Sequence, residues 1–440
     1  MPRREALKIK INLKKGGEKM AKGKGIFKII CVVLSVILVL SFIAYLPLIK
    51  QVDAASAKKG LRKLTQQDVL SIFKPGVYGI YKDKTMKVAV KAVGPEAVQL
   101  TEAEKQKIRK MRLKIAVETN HMDDPFKWQL GGLKEVCKDL NITLKDVWMA
   151  PNTTSAAQVA DYERIERIAQ NYDAIFTLPM DVAASSEILK KIMKKTHMVF
   201  LCSAPFGVDW KNNHNFVGVV DADGYLAGVY SAEAAIRILN GTGKLGVVGF
   251  VGGREGTFHT VYERYRGWND VFKKHPEVKI VQKWFDDPAK AGEVVSSMLA
   301  ANPDIKVLLI DWANPPANQA ETIFRQRGLK PWKDIVMVTI DLDNTVVVPM
   351  AKSGPNNNYT AAFVTQTWYN VGKLWGLIFA KHMLYGNKAP KYVVSPPLPI
   401  TVWNNLKTHY IKAVPADYPI PPEVKRLTNQ WPLGVKDQWK

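Results

Sequence analysis

The sequence predicts an α/β protein of two lobes, each a parallel sheet with helices on both faces. From Leu113 onward, short runs rich in Val and Ile alternate with segments of helical period, a pattern that builds parallel sheets covered on both sides. The alternating part is roughly 330 residues long, more than one such sheet usually fills, so it divides in two. Three cysteines, at positions 31, 137 and 202, exclude a disulfide framework and show no metal-ligand spacing. With 47% hydrophobic and 23% charged residues, wholesale disorder is also excluded.

The amino-terminal quarter comes first and stands apart. Residues 29–49, IICVVLSVILVLSFIAYLPLI, carry no charge, and a helix of roughly 20 apolar residues crosses a bilayer. Ten Lys/Arg against two acids precede this run, the bias that keeps an amino terminus cytoplasmic. Ala55-Ser56-Ala57 then has the small-x-small form of a signal-peptidase site. Residues 1–57 are therefore expected to be a signal peptide or membrane anchor, with cleavage after Ala57 the first expectation. The protein is expected outside the cytoplasm, periplasmic or at the cell surface. Met20, opening MAKGKGIFK, is an alternative start to Met1. Residues 58–112 read as a basic spacer with a turn at Pro75-Gly76 and a short helix opened by the capping box Thr101-x-x-Glu104.

The predicted strands of the main body are 113–117, 174–178, 198–201, 216–220, 245–251, 307–310, 335–340 and 361–364. Between them Ile188, Leu189, Ile192 and Met193 mark one helix face, and Val371, Leu374, Trp375, Ile378 and Phe379 another. Ligands of open parallel sheets bind beyond the carboxyl ends of the strands, so the residues that follow each run are the candidates. They are Glu118 to His121, Cys202-Ser203, Asp311-Trp312 with Asn314, Asp341, and Thr365-Gln366. Polar groups at five strand ends, with Phe126, Trp128, Trp312 and Trp368 nearby, suit a polyhydroxylated ligand. Hydroxyls want bidentate polar partners, and an apolar ring face stacks on an indole.

Four stretches carry a family resemblance: NHMDDPFKWQLGGLKEVCKDLNI (120–142), VDADGYLAGVYSAEAAIRILNGTGKLGVVGF (220–250), YERYRGW (262–268), and VTIDLDNTVVVPMAKSG (338–354) with FVTQTW (363–368). Over about 113–402 the chain resembles the type 1 solute-binding proteins, the ribose-binding-like sugar receptors of ABC importers. The resemblance implies Arg264, Asp341 and Gln366 as ligand contacts, with Asp124, Phe126, Trp128, Ser203, Asp311, Trp312 and Asn314 completing the set. Cys202-Ser203 stands where the ribose-binding branch has Asp-Arg, and Phe126-Lys127-Trp128 where it has adjacent phenylalanines. Asp311-Trp312-Ala313-Asn314 stands where it has Asn-Asp, so ribose itself is not assigned.

By this resemblance the first lobe is 113–219 plus 367–390 and the second is 220–364 plus 391–402. Three hinge crossings lie near 219, 343–345 and 364–366, and a tail follows at 403–440. The implied action is binding without catalysis: a monomer with no cofactor or metal captures a sugar or polyol and delivers it to a membrane permease. An alternative is a sensory ectodomain for a sugar or nucleoside. A remote one is a haloacid-dehalogenase-like phosphatase, since Asp341-x-Asp343-x-Thr345 has that motif's form. After Thr345, however, the only acids are Asp417, Glu423 and Asp437, too few to complete its metal site.

The net charge of +23 invites a nucleic-acid reading, and its distribution removes it. Residues 1–112 hold 25 Lys+Arg against 8 acids, whereas 113–440 hold 38 against 32. The excess belongs to the targeting and spacer segments, and no nucleic-acid partner is expected.

Overall fold

The alternating runs fold as parallel strands joined by helices, so within each sheet all carboxyl ends share one side. The computed structural model describes residues 60–431 except 75–77, 120–121, 152–153, 242, 252–257 and 429. The segment 1–57, the Pro75-Gly76 turn and the strand-end pair Asn120-His121 lie outside the described residues. Among the described residues no helix is long and apolar enough to cross a membrane.

Ahead of the lobes come α1 (Gln66–Ile72), the antiparallel pair β1 (Ile80–Tyr81) and β2 (Val90–Lys91), and α2 (Glu102–Met111). The first lobe runs β3 (Lys114–Thr119), α3 (Asp124–Leu140), β4 (Thr143–Met149), α4 (Ser155–Glu166), β5 (Ala174–Thr177), α5 (Val182–Met193), β6 (His197–Leu201) and β7 (Phe216–Ala222). The second begins with α6 (Gly224–Leu239), β8 (Gly243–Phe250), α7 (His259–Phe272), β9 (Val278–Phe285) and α8 (Ala291–Ala301). It continues through β10 (Ile305–Ile310), α9 (Asn318–Gln326), β11 (Val336–Ile340), α10 (Asn344–Ser353) and β12 (Thr360–Val364). Helix α11 (Trp368–Tyr385) and β13 (Tyr392–Ser395) return to the first lobe, and α12 (Leu406–Ala413) and α13 (Pro422–Lys425) follow.

The sheets have the orders β4-β3-β5-β6-β7-β13 and β9-β8-β10-β11-β12, all pairs parallel. Both are doubly wound, and their order reverses between β3 and β5 and between β8 and β10. Successive residues of a strand serve opposite faces: Ile115 and Val117 enter one core while Ala116 enters another. In β10, Val307 and Leu309 face α6, whereas Leu308 and Ile310 face the α8 side. Two sheets with two covered faces make four cores, which is why the strands read as continuous apolar runs.

Four expectations of organisation change. Residues 60–112 are no spacer, because apolar side chains at both ends of the segment are buried in the lobes: Leu64, Val69 and Ile72 join the α6 core, and Val98 and Ile108 join the α3–α11 core. Val93 bridges Val393 and lengthens the first sheet. The 343–345 crossing is instead a helix start, with Asp343 accepting from Thr345 N at 2.8 Å as the cap of α10. Within 113–402 the crossings lie at Asp223, at 365–367 and after Ser395, and the chain also passes between the lobes at residues 79–80. The range 391–402 is accordingly divided: β13 pairs with β7 in the first lobe, while Thr401 pairs with Phe363 in the second. The tail, finally, is packed, with Leu406, Tyr410, Val414 and Val424 buried in the second lobe.

Candidate functional site

Helix α7 carries Arg264, and its position is set by close contact with α6. A Cβ on Gly228 would strike the carbonyl of Arg264, and one on Gly267 the carbonyl of Tyr225. Only glycines allow the two backbones to touch in this way. Trp268 Nε1 donates to Ser231 Oγ at 2.9 Å across the same interface. The arginine is thus held at a fixed height beside the ends of β10 and β11.

Arg264 is 3% exposed, and its guanidinium reaches three partners. Nη1 meets Asp311 Oδ1 at 3.1 Å, and Nη2 meets Gln366 Oε1 at 2.7 Å and Asp341 Oδ2 at 3.4 Å. Trp368 Nε1 donates to Asp341 Oδ1 at 3.1 Å, and Tyr265 Oη donates to Asp311 Oδ2 at 2.5 Å. The Arg264 Nε and Gln366 Nε2 donors are buried with no partner.

Burial pushes both carboxyls up, while the Arg264 charge pulls them down without cancelling the rise. Asp123, the cap of α3, adds a further negative charge toward Asp341. Burial opposes the charge on Arg264, but Asp341 and Asp311 outweigh it and raise its pKa. Unused donors beside carboxylate acceptors match hydroxyl groups, which need both. Asp341 at the end of β11 has φ +77 and Cys202 at the end of β6 has φ +63. Left-handed backbone is uncommon for such residues and is found where a strand end must re-aim its side chain.

Of the ten candidates, Arg264, Asp311, Asp341 and Gln366 come together. Trp312, next to Asp311, packs at 5.7 Å from Phe250 and 5.4 Å from Phe285. Ser203 faces the second lobe, its Oγ accepting from His259 N at 3.1 Å. Asp124 pairs with Lys127 and accepts from Asn344 Nδ2 at 3.0 Å, a contact between lobes. Phe126 is buried in the first-lobe core, and Trp128 is buried against Tyr410 and Tyr418. Asn314 is exposed and accepts from Asn318 at 3.1 Å, away from the cluster. Helical phase explains the scatter on α3: Phe126 and Trp128 are two residues apart and therefore face different ways.

Sequence reasoning passes over Tyr265 and Asp123 as site residues and names Trp368 only as a nearby aromatic. Tyr265 is a helix neighbour of Arg264 with no strand-end signal, and Asp123 reads as a cap. Trp368 was visible at a strand end, but its indole N–H partner is set only by folding. Of the dehalogenase-like motif, Asp341 is bound to Arg264 and Trp368, and Asp343 caps a helix.

The periplasmic binding protein domain family matches residues 115–375. A ribose ABC transporter protein of Conexibacter woesei superposes with a TM-score of 0.58 at 15% identity, covering 69% of this chain and 98% of that one. A solute-binding protein of Agrobacterium vitis with bound allitol gives 0.56 at 19% identity, over 68% and 98%. One of Bacillus halodurans with bound myo-inositol gives 0.54 at 16%, again over 68% and 98%. The chain is also 34% identical over 80 residues to a chemotaxis protein CheY homolog of Campylobacter jejuni. That match spans 18% of this chain and 62% of the length of the curated relative.

Proposed function

Because the chain belongs to the periplasmic binding protein family, a family of extracytoplasmic, non-enzymatic solute-binding proteins, we propose that it captures a neutral sugar or polyol between its lobes. It then delivers that ligand to the permease of an ABC importer. The observation that carries this reading is Arg264, held among Asp311, Asp341 and Gln366 with two donors left over. A vicinal diol accepts from such donors and donates to such carboxylates. An anionic ligand is disfavoured, since both carboxylates already face the single guanidinium. Trp312 and Trp368 supply apolar ring surface beside these groups. The allitol and myo-inositol held by similar structures favour the same ligand class. Closure by hinge rotation would exclude water and strengthen each polar contact. Residues 1–57 are proposed to direct export, or to anchor the chain if they are retained.

The test is a thermal-shift screen of residues 58–440 against pentoses, hexoses, deoxy-sugars, inositols and purine nucleosides. A neutral sugar or polyol at 100 times its dissociation constant should stabilise the fold by about 2.7 kcal/mol. Arg264→Ala should abolish that shift. A response only to nucleosides or amino acids would overturn the substrate class, and a response surviving Arg264→Ala would overturn the site.

A further inference from the structure

The segment after the last crossing joins the two lobes a second time. Trp128 belongs to α3, a first-lobe helix, yet it is fully buried within the second lobe's cluster beside Leu406, Tyr410 and Met350. Tyr410 and Tyr418 meet its ring edge-on, at 6.4 and 5.4 Å between centroids. A Cβ on Gly131, further along α3, would lie 3.3 Å from Pro415 Cγ. Tyr410 Oη donates to Asn344 Oδ1 at 3.0 Å, and Asn344 Nδ2 donates in turn to Asp124 Oδ2 at 3.0 Å. The same segment is rooted in the second lobe, where Val424 is buried and Glu423 pairs with Lys352 at 3.3 Å.

A rotation that parts the lobes carries α3 away from α10. It must then draw Trp128 out from between the tyrosines and break the Asp124–Asn344 bond. The chain crossings alone impose no such cost, because hinges absorb rotation in a few backbone angles.

We propose that residues 403–428 form a clasp, rooted in the second lobe and gripping Trp128 of the first, that must release before the cleft opens. The clasp rests on the two-lobed fold and not on the identity of the solute, so its failure and that of the binding proposal are separable. The test is a pulsed spin-resonance distance measurement on the full chain in a Cys31→Ser background. Labels at Glu187→Cys and Lys279→Cys place one probe on each lobe, and no ligand is added. The unaltered protein should show one dominant short distance. Tyr418→Ala should raise the population of longer distances roughly fivefold, given the usual strength of an aromatic pair. Asn344→Ala should shift it the same way if Tyr418→Ala does not fold. Val271→Ala, a change in the second lobe's other core, which holds no residue of 403–428, should leave the distances alone. An unchanged distribution in both clasp variants, or an equal broadening in Val271→Ala, would overturn the proposal.

Discussion

Arg264 illustrates how much one buried charge determines. Removing it by Arg264→Ala leaves Asp311, which is 0% exposed, without its cationic partner, and stripping one member from a buried pair typically costs 3–5 kcal/mol. A urea titration at pH 7 should show a loss of about that size. Arg264→Lys keeps the charge but not the planar fork that reaches three groups at once. It should therefore retain most of the stability and lose ligand response. Glu118 makes a pH prediction. It is fully buried, accepts from Gln158 at 3.2 Å and Thr177 at 2.5 Å, and burial lifts its pKa from 4.5 to about 7 against those bonds. The folded state therefore holds a proton that the unfolded state releases. Its stabilising contribution is complete below pH 4.5 and is lost as pH rises through 7. Glu118→Gln removes that titration. Its stability relative to the unaltered protein should climb between pH 4.5 and 7, by on the order of 3 kcal/mol. A gap independent of pH would contradict the assignment.

Among the elements, the paired helices beside the cleft are the most constrained. In the first lobe a Cβ on Gly372 of α11 would collide with the Gln129 carbonyl of α3. Gly372→Ala should force the two helices apart and lower the thermal midpoint by several degrees, since overpacking typically costs 1–3 kcal/mol. Gly354→Ala, in open space, should do far less by contact and test only its left-handed φ of +73. Local patterns predicted several elements well. Thr101 and Glu104 form their capping box, the Ile188–Met193 face is packed inward, and Val371 to Phe379 line the core. The strands β4 and β9 went unread because they are edge strands that solvent reaches, unlike the buried edge strand β12. β4 alternates exposed and half-buried residues and β9 exposes Lys279 and Gln282, so neither has a continuous apolar run. β13 was unread for another reason, since its apolar run is only Tyr392, Val393 and Val394, between Lys391 and Ser395-Pro396-Pro397.

For the whole molecule, the segment before residue 113 changes the architecture most. Residues 62–72 dock on α6 through Leu64, Val69 and Ile72, with Arg62 and Arg237 both pairing with Asp68. Residues 79–80 cross between lobes, where Gly79 N donates to Asp223 Oδ2 at 3.3 Å and Ile80 O meets His259 Nε2 at 3.1 Å. Residues 95–111 dock on α11, where Glu104 receives Lys381 at 2.7 Å and Tyr385 at 2.6 Å. A chain beginning at residue 78 should thus be less stable than one beginning at residue 58. The expected loss is about 3 kcal/mol or more, from uncovering the apolar surface of α6 on which those three side chains pack. Equal denaturation midpoints for the two would restore the spacer reading.

The sequence by itself determined the α/β class, the two lobes and the strand ends where Asp311, Asp341 and Gln366 stand, while Arg264, which these three meet, is implied by the family resemblance. The first are local periodicities and strand-end positions, and they persist because the strands that carry them are buried on both faces. Only the tertiary structure decided the third crossing, the docking of the segments within 60–112 and 403–428 and the burial of Trp128 against the clasp. Those depend on which apolar surfaces remain uncovered once the sheets have formed. That is a property of pairs of elements distant in the chain, and no local window contains it.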